Sequence, residues 1–103
     1  PSVLTNMLPS IEQHVRFIGD AIADLKAGGY ATMEAEPEAQ EAWIGHVNEV
    51  GDATIYPTCN SWYVGANIPG KPRVFMPYLG FPAYCEKCDA VRAADYEGFH
   101  RAA

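Results

Sequence analysis

Residues 61–73 read SWYVGANIPGKPR. Gly65, Pro69, Gly70 and Pro72 interrupt the stretch at short intervals, so it reads as a loop and not as a helix or strand. Pro69-Gly70 fits the centre of a type II turn, whose second central residue needs a positive φ. Two of the chain's seven cations, Lys71 and Arg73, close it. The aromatics Trp62 and Tyr63 raise the question. An indole on a loop either pins that loop to the core or is held out for something else to touch.

Upstream, Pro37 and its acidic neighbours open a helix, where negative charge suits the helix dipole. Trp43, Val47 and Val50 give its buried stripe. It should end near Tyr56-Pro57, because the residue before a proline is pushed out of the helical region. Residues 57–72 then form the loop. Downstream, residues 73–79, RVFMPYL, read as a short buried strand limited by Pro77. Gly80 and Pro82 lead into a further helix ending near Asp95, with Phe81, Tyr84, Cys88 and Val91 at helical spacing. At the front of the chain, Ile11, Val15, Ile18, Ile22 and Leu25 recur at three and four residues. That is an amphipathic helix over residues 9–27, with these five as its buried stripe. Pro9 suits its first turn, Ser10 with Gln13 makes a capping box, and Gly28-Gly29 stops it. Residues 30–34 alternate weakly, as a short strand does. The last residues, YEGFHRAA, read as a docked tail anchored by Phe99. The fold class is therefore α+β: mainly helical, with about three helices and one or two short strands, in a single segment over residues 1–103.

Composition narrows the partners. At 103 residues the chain is one domain or less, and its core is modest. A net charge of −6 argues against nucleic acid, which needs a basic field, and against an anionic membrane surface. No apolar run approaches the length of a membrane span. The opening Pro1-Ser2 reads as the start of a piece of something longer, or of a processed product. Three cysteines, Cys59, Cys85 and Cys88, do not make a disulfide framework, and Cys85-x-x-Cys88 is half a zinc site at best. They read as structural thiols in a reducing, cytoplasmic compartment, with no metal site. His14 and His46 fall on predicted helices and read as surface or half-buried residues. No GxGxxG fingerprint, phosphate-cradling loop or nucleophile–base pair occurs, so no catalytic residue is assigned.

Three quoted stretches carry a resemblance: PSVLTNMLPSIEQHV (1–15), WIGHVNEVGDATIYPTCNSWYVGANIPGKPRVFMPYLG (43–80) and YEGF (96–99). Together they resemble the C-terminal end of a class I Baeyer–Villiger monooxygenase, of the phenylacetone and cyclohexanone monooxygenase kind. The resemblance runs through nearly the whole chain in order. It implies the C-terminal part of a flavoprotein with two dinucleotide domains, one for FAD and one for NADPH. The implied reaction inserts one oxygen atom from O2 beside the carbonyl of a ketone, giving an ester or lactone. The glycine fingerprints, the family signature and the active-site arginine lie outside this sequence, so the segment alone should be inactive. The resemblance also gives Trp62 a role: it matches a tryptophan on a mobile lid, here residues 57–72, that covers bound NADP. Val3, Leu4, Met7 and Met76 match positions shaping the substrate pocket. The first helix would aim its N-terminus toward the flavin. Lys71 and Arg73 read as solvated or structural ahead of any contact with cofactor phosphate. Pro9, Pro82 and Val3 depart from the family pattern, and Val3 would narrow the pocket. The implied partners are the rest of the parent enzyme, a ketone and O2. The competing reading is a free-standing acidic helical interaction module without catalysis. The two differ in one visible respect: in an autonomous module the apolar stripes find partners inside the chain.

Overall fold

Asn6, not Ser10, starts the first helix. In the computed structural model, which describes residues 6–75 and 77–103, α1 runs Met7–Ala27. The Asn6 side chain accepts the Leu8 N–H at 3.1 Å, and Ser10 Oγ donates back to the Asn6 carbonyl at 3.1 Å. The expected start near Pro9 with a Ser10–Gln13 capping box is thereby corrected. Pro9 does not block the earlier start, because the first N–H groups of a helix have no partner within it. At the other end Gly29 takes φ +75°, the Tyr30 N–H reaches the Leu25 carbonyl at 2.9 Å, and the Gly29 N–H reaches that of Lys26 at 3.2 Å. That is a Schellman motif, which the Gly28-Gly29 pair makes cheap.

The chain then forms β1 (Thr32–Ala35), α2 (Pro37–Asp52), short 3-10 turns at Tyr56–Thr58 and Trp62–Val64, α3 (Phe81–Ala93) and β2 (Phe99–Ala102). Three helices and a two-stranded sheet thus make up the expected α+β class. The predicted docked tail is the second strand. β2 pairs antiparallel with β1, Thr32 opposite Ala102 and Ala35 opposite Phe99. Gly98, at φ +89°, turns the chain into this pairing. α3 also ends in a Schellman motif, with Asp95 at φ 53° in the position glycine usually takes. A carboxylate tolerates that region better than most side chains. The Arg101 guanidinium holds it there at 3.0 and 2.6 Å.

Two further expectations change. α2 stops at Asp52, four residues before Tyr56. Thr54 Oγ1 donates to the Gly51 carbonyl at 2.6 Å and accepts the Tyr56 N–H at 3.2 Å, so a threonine turn replaces the last helical turn. Residues 73–75 and 77–79 are not in a strand. The Phe75 N–H is donated to Asn48 Oδ1 at 2.9 Å, and Pro77 has no N–H to give. Side chains fasten this segment to α2 instead. Phe75 lies over Gly51, and Tyr78 Oη is 3.0 Å from His46 Nε2.

The core sits under the loop. Val47, Val64, Phe75 and Tyr78 are buried together, with Val50, Tyr56 and Tyr63 packed against them. Trp43, expected in the buried stripe of α2, is partly exposed and stacks on Tyr78 at 5.1 Å. A second, thinner contact joins α1 to α3. His14 meets Tyr84 edge-on at 5.4 Å, and Phe17 tilts against Tyr96 at 6.4 Å. Arg92 binds both Asp20 and Asp24, and the Tyr96 hydroxyl donates to Asp24 at 2.8 Å.

Four of the five residues in the predicted stripe of α1 face outward, the wrong way for an autonomous domain, and Leu25 is half-buried. Ile11, Val15, Ile18 and Ile22 are 49, 65, 57 and 48% exposed. The α3-facing side is a different row, through His14, Phe17 and Ala21. Periodicity identified a helix correctly but not the side it packs on. The radius of gyration agrees: 15.6 Å, against ~13 Å for a compact chain of this length.

Candidate functional site

The loop that carries Trp62 is a string of tight turns. Ser61 caps the first, its Oγ accepting the Tyr63 N–H at 3.2 Å. The Gly65 N–H closes on the Trp62 carbonyl at 3.0 Å, with Gly65 at φ +70°. The Lys71 N–H then bonds the Ile68 carbonyl at 3.3 Å across Pro69-Gly70, and Gly70 has φ +75°. Both features are those of the type II turn expected there.

Within this frame the anchoring and presenting roles separate. Val64 is 3% exposed and belongs to the core. Tyr63 packs edge-on against Tyr56 at 5.4 Å. Trp62 does neither: its ring leans on Tyr63 at 4.2 Å and is 56% exposed. The loop is pinned by its neighbours, and the indole is the part held out. Its N–H can only donate.

The other predicted site residues are less gathered. Val3, Leu4 and Met76 lie outside the described residues. Met7 opens α1 and is exposed. A groove of about 480 Å³ opens between the helices and the sheet, lined by Phe17, Trp43, His46, Tyr84, Cys88 and Phe99 among others. Neither Trp62 nor Met7 lines it. Sequence reasoning missed this aromatic cluster, although Trp43 and His46, three apart on α2, were its visible signal. Burial, reinforced by the nearby Cys88 thiol, pushes the Tyr84 hydroxyl up to about 12. Tyr84 is therefore a neutral packing group at ordinary pH. Burial likewise raises the Cys85 thiol, which makes it a poor nucleophile. Cys88 is buried, Cys59 is exposed, and none of the three cysteines is in a disulfide. Among the described residues, no group of three His, Cys, Asp or Glu is placed to hold a metal ion. No helix of the described residues is long and apolar enough to cross a membrane.

No protein-family model matches the chain. Individual proteins do. It is similar to the acetone monooxygenase (methyl acetate-forming) of Gordonia sp. (strain TY-5), 40% identical over 95% of this chain and 19% of that protein. A Baeyer–Villiger monooxygenase of Pseudooceanicola batsensis is 39% identical over 94% of the chain and 18% of its own length. The cyclohexanone 1,2-monooxygenase of Acinetobacter sp is 36% identical over 92% and 18%. Among solved structures, an oxidised steroid monooxygenase bound to NADP superposes with a TM-score of 0.88 at 41% identity, over 99% of this chain and 18% of that one. Cyclohexanone monooxygenase from Rhodococcus sp. Phi1 bound to NADP+ gives 0.88 at 35% identity, over 96% and 19%. The chain is thus a segment of the flavoprotein monooxygenase kind. It is similar to part of the Baeyer–Villiger monooxygenases, and it spans about a fifth of the length of the relatives it matches.

A similar protein of Aspergillus aculeatus is named an FAD-binding monooxygenase, and the two solved neighbours above are bound to NADP. The sequence has no dinucleotide glycine fingerprint, so by itself it does not fit FAD.

Proposed function

We propose that the chain is the lid and one pocket wall of an FAD- and NADPH-dependent Baeyer–Villiger monooxygenase that inserts one oxygen atom from O2 into a ketone. FAD, once reduced by NADPH, supplies the oxygen chemistry, and the residues holding both cofactors lie mostly outside this segment. The observation that carries the reading is Trp62: an indole left exposed while Tyr63 and Val64 anchor its loop. Residues 57–72 act as the lid. The Trp62 indole would donate to an oxygen of the nicotinamide cofactor, and its ring would keep water from the reacting centre. Val3, Leu4, Met7 and Met76 form an apolar wall suited to a ketone's hydrocarbon part, with methionine adapting to several shapes. The N-terminus of α1 would aim its partial positive charge toward a bound flavin and would favour the reduced anionic form.

The outward stripe of α1 supports a part over a free-standing module. Four Ile and Val side chains, each about half exposed, represent roughly 3–6 kcal/mol of burial not taken up inside the chain. The rest of the parent enzyme, in a reducing cytoplasmic compartment, is their proposed cover. The test is the full-length polypeptide. It should show flavin absorbance and ketone-dependent NADPH consumption. Trp62→Ala should keep the flavin, weaken NADPH use and release more hydrogen peroxide per NADPH. A colourless protein would overturn the reading, and unchanged coupling in the variant would overturn the lid.

A further inference from the structure

The two ends of the Trp62 loop are tied together by one side chain. Arg73 sends Nη1 to the Cys59 carbonyl at 3.0 Å and Nη2 to Asn60 Oδ1 at 2.8 Å. The guanidinium thus bridges the loop's entry and exit, with the turns of residues 61–71 lying between. Two residues beyond it, the Phe75 N–H is fixed on Asn48 of α2. Trp62 lies two residues beyond Asn60 on the other strand of this neck. We infer that Arg73 is a positioning residue: it holds the loop as one pre-formed body, so that Trp62 is presented without a fresh ordering step.

The inference rests on the lid reading above and deepens it. Ordering a loop costs conformational freedom at every residue fixed. A ligand that must order its lid loses that much affinity, and a clasp made beforehand removes the loss. The chemistry of the clasp is specific to arginine. Its planar fork reaches a carbonyl and an amide oxygen together, whereas a lysine ammonium offers a single point charge. Arg73 is the loop's tie and not a cofactor ligand, because two of its donors are already turned inward onto the loop's own oxygens.

Arg73→Met keeps the stem and removes the fork, and Arg73→Lys keeps the charge. The full-length protein is tested in both forms, with flavin content and melting temperature as controls for folding. Chymotrypsin, which cuts at the exposed aromatics, reads the loop directly without turnover. Both variants should be cut within residues 57–72 about three- to tenfold faster than the parent, the scale of losing one or two such bonds. The KM for NADPH should rise by a similar factor, kcat should stay within about twofold, and the preference for NADPH over NADH should not move. Unchanged cleavage in Arg73→Met would overturn the clasp. Restoration by lysine, or a fallen NADPH preference, would overturn it in favour of a charge contact with phosphate. Faster cleavage with an unchanged KM would overturn the positioning role. If Trp62→Ala also left the KM unchanged, the fault would lie with the lid reading itself.

Discussion

Gly51 is a sharp test of how the loop is held. It lies near the end of α2, where alanine would ordinarily be preferred. A Cβ there would sit 2.6 Å from Phe75 Cγ, 2.7 Å from Cδ1 and 2.9 Å from Cβ. These atoms are the root of the side chain, not its free end, so Phe75 cannot swing aside without leaving its site. Phe75 is 4% exposed and belongs to the core with Val47, Val64 and Tyr78. Overpacking of this kind costs about 1–3 kcal/mol, and contacts this short belong at the top of that range. Against it stands a helix-propensity gain of up to about 1 kcal/mol. Gly51→Ala should therefore destabilise by about 2 kcal/mol. Gly45, one and a half turns earlier on the same helix, is the control: nothing lies within 4 Å of its would-be Cβ. Gly45→Ala should stabilise by up to about 1 kcal/mol. Amide hydrogen exchange along α2 in the full-length protein reads the difference locally. A gap of about 3 kcal/mol is roughly a hundredfold in protection. Equal protection in the two variants would refute the notch in which Phe75 sits. It would also refute the fastening of residues 73–79 to α2.

Three other outcomes follow from the geometry. Ile18→Asp adds a charge to an exposed helix position, which normally changes stability by about 0.5 kcal/mol or less; if the outer face of α1 is covered in the parent enzyme, the full-length protein should lose several times that, read as a fall in melting temperature. The Arg92 guanidinium, and then the Tyr96 hydroxyl, hold the Asp24 carboxyl below its usual value. A depressed folded value means its stabilising share is present above the ordinary carboxylate range and is lost as pH falls through the folded value. The stability difference between parent and Asp24→Asn should therefore be visible at pH 6 and shrink in acid titration below about pH 4. Tyr84 titrates the other way: raised to about 12 in the fold, it contributes fully below its ordinary value near 10 and loses that share as pH climbs toward 12. Tyr84→Phe should flatten this part of an alkaline unfolding curve.

The helices were legible because each carries its own signal within a few turns. Gly28-Gly29, Pro37 and Gly80 punctuate them locally, and the observed ends fall within a few residues of the expected ones. What failed was non-local. β2 exists because Phe99–Ala102 meets Thr32–Ala35, some 65 residues earlier, and nothing in FHRA alone announces a strand. Residues 73–75 and 77–79 carry strand-forming residues but pair with no strand; Asn48, His46 and Gly51 hold them one contact at a time instead. The type II turn at Pro69-Gly70 could be read from two residues because proline and glycine each set one dihedral. Trp62 could be named as a candidate from its loop. Its exposure could not, since that depends on Val64 and Tyr63 taking the core contacts first.

The two sides of α1 connect these points to function. A surface helix buries one apolar face, and that of α1 is wider than α3 covers. Phe17 and Ala21 meet α3, while Ile11, Val15, Ile18 and Ile22 face outward. At ~100° per residue these two rows are adjacent, about a quarter-turn apart, so α1 has one wide apolar side of which α3 covers only part. Met7, at its first turn, is a proposed pocket residue, so the same burial that would hide the isoleucines would also carry Met7 inward. The loop has the opposite character. It is tied at its neck by Arg73, anchored by Val64, and exposed at Trp62 and Ile68. Burying α1 would fix the wall in place, whereas a lid must keep one face free to meet a ligand that comes and goes. One short segment can supply both because its core lies under the loop, on α2. The lid therefore keeps its shape whatever covers α1.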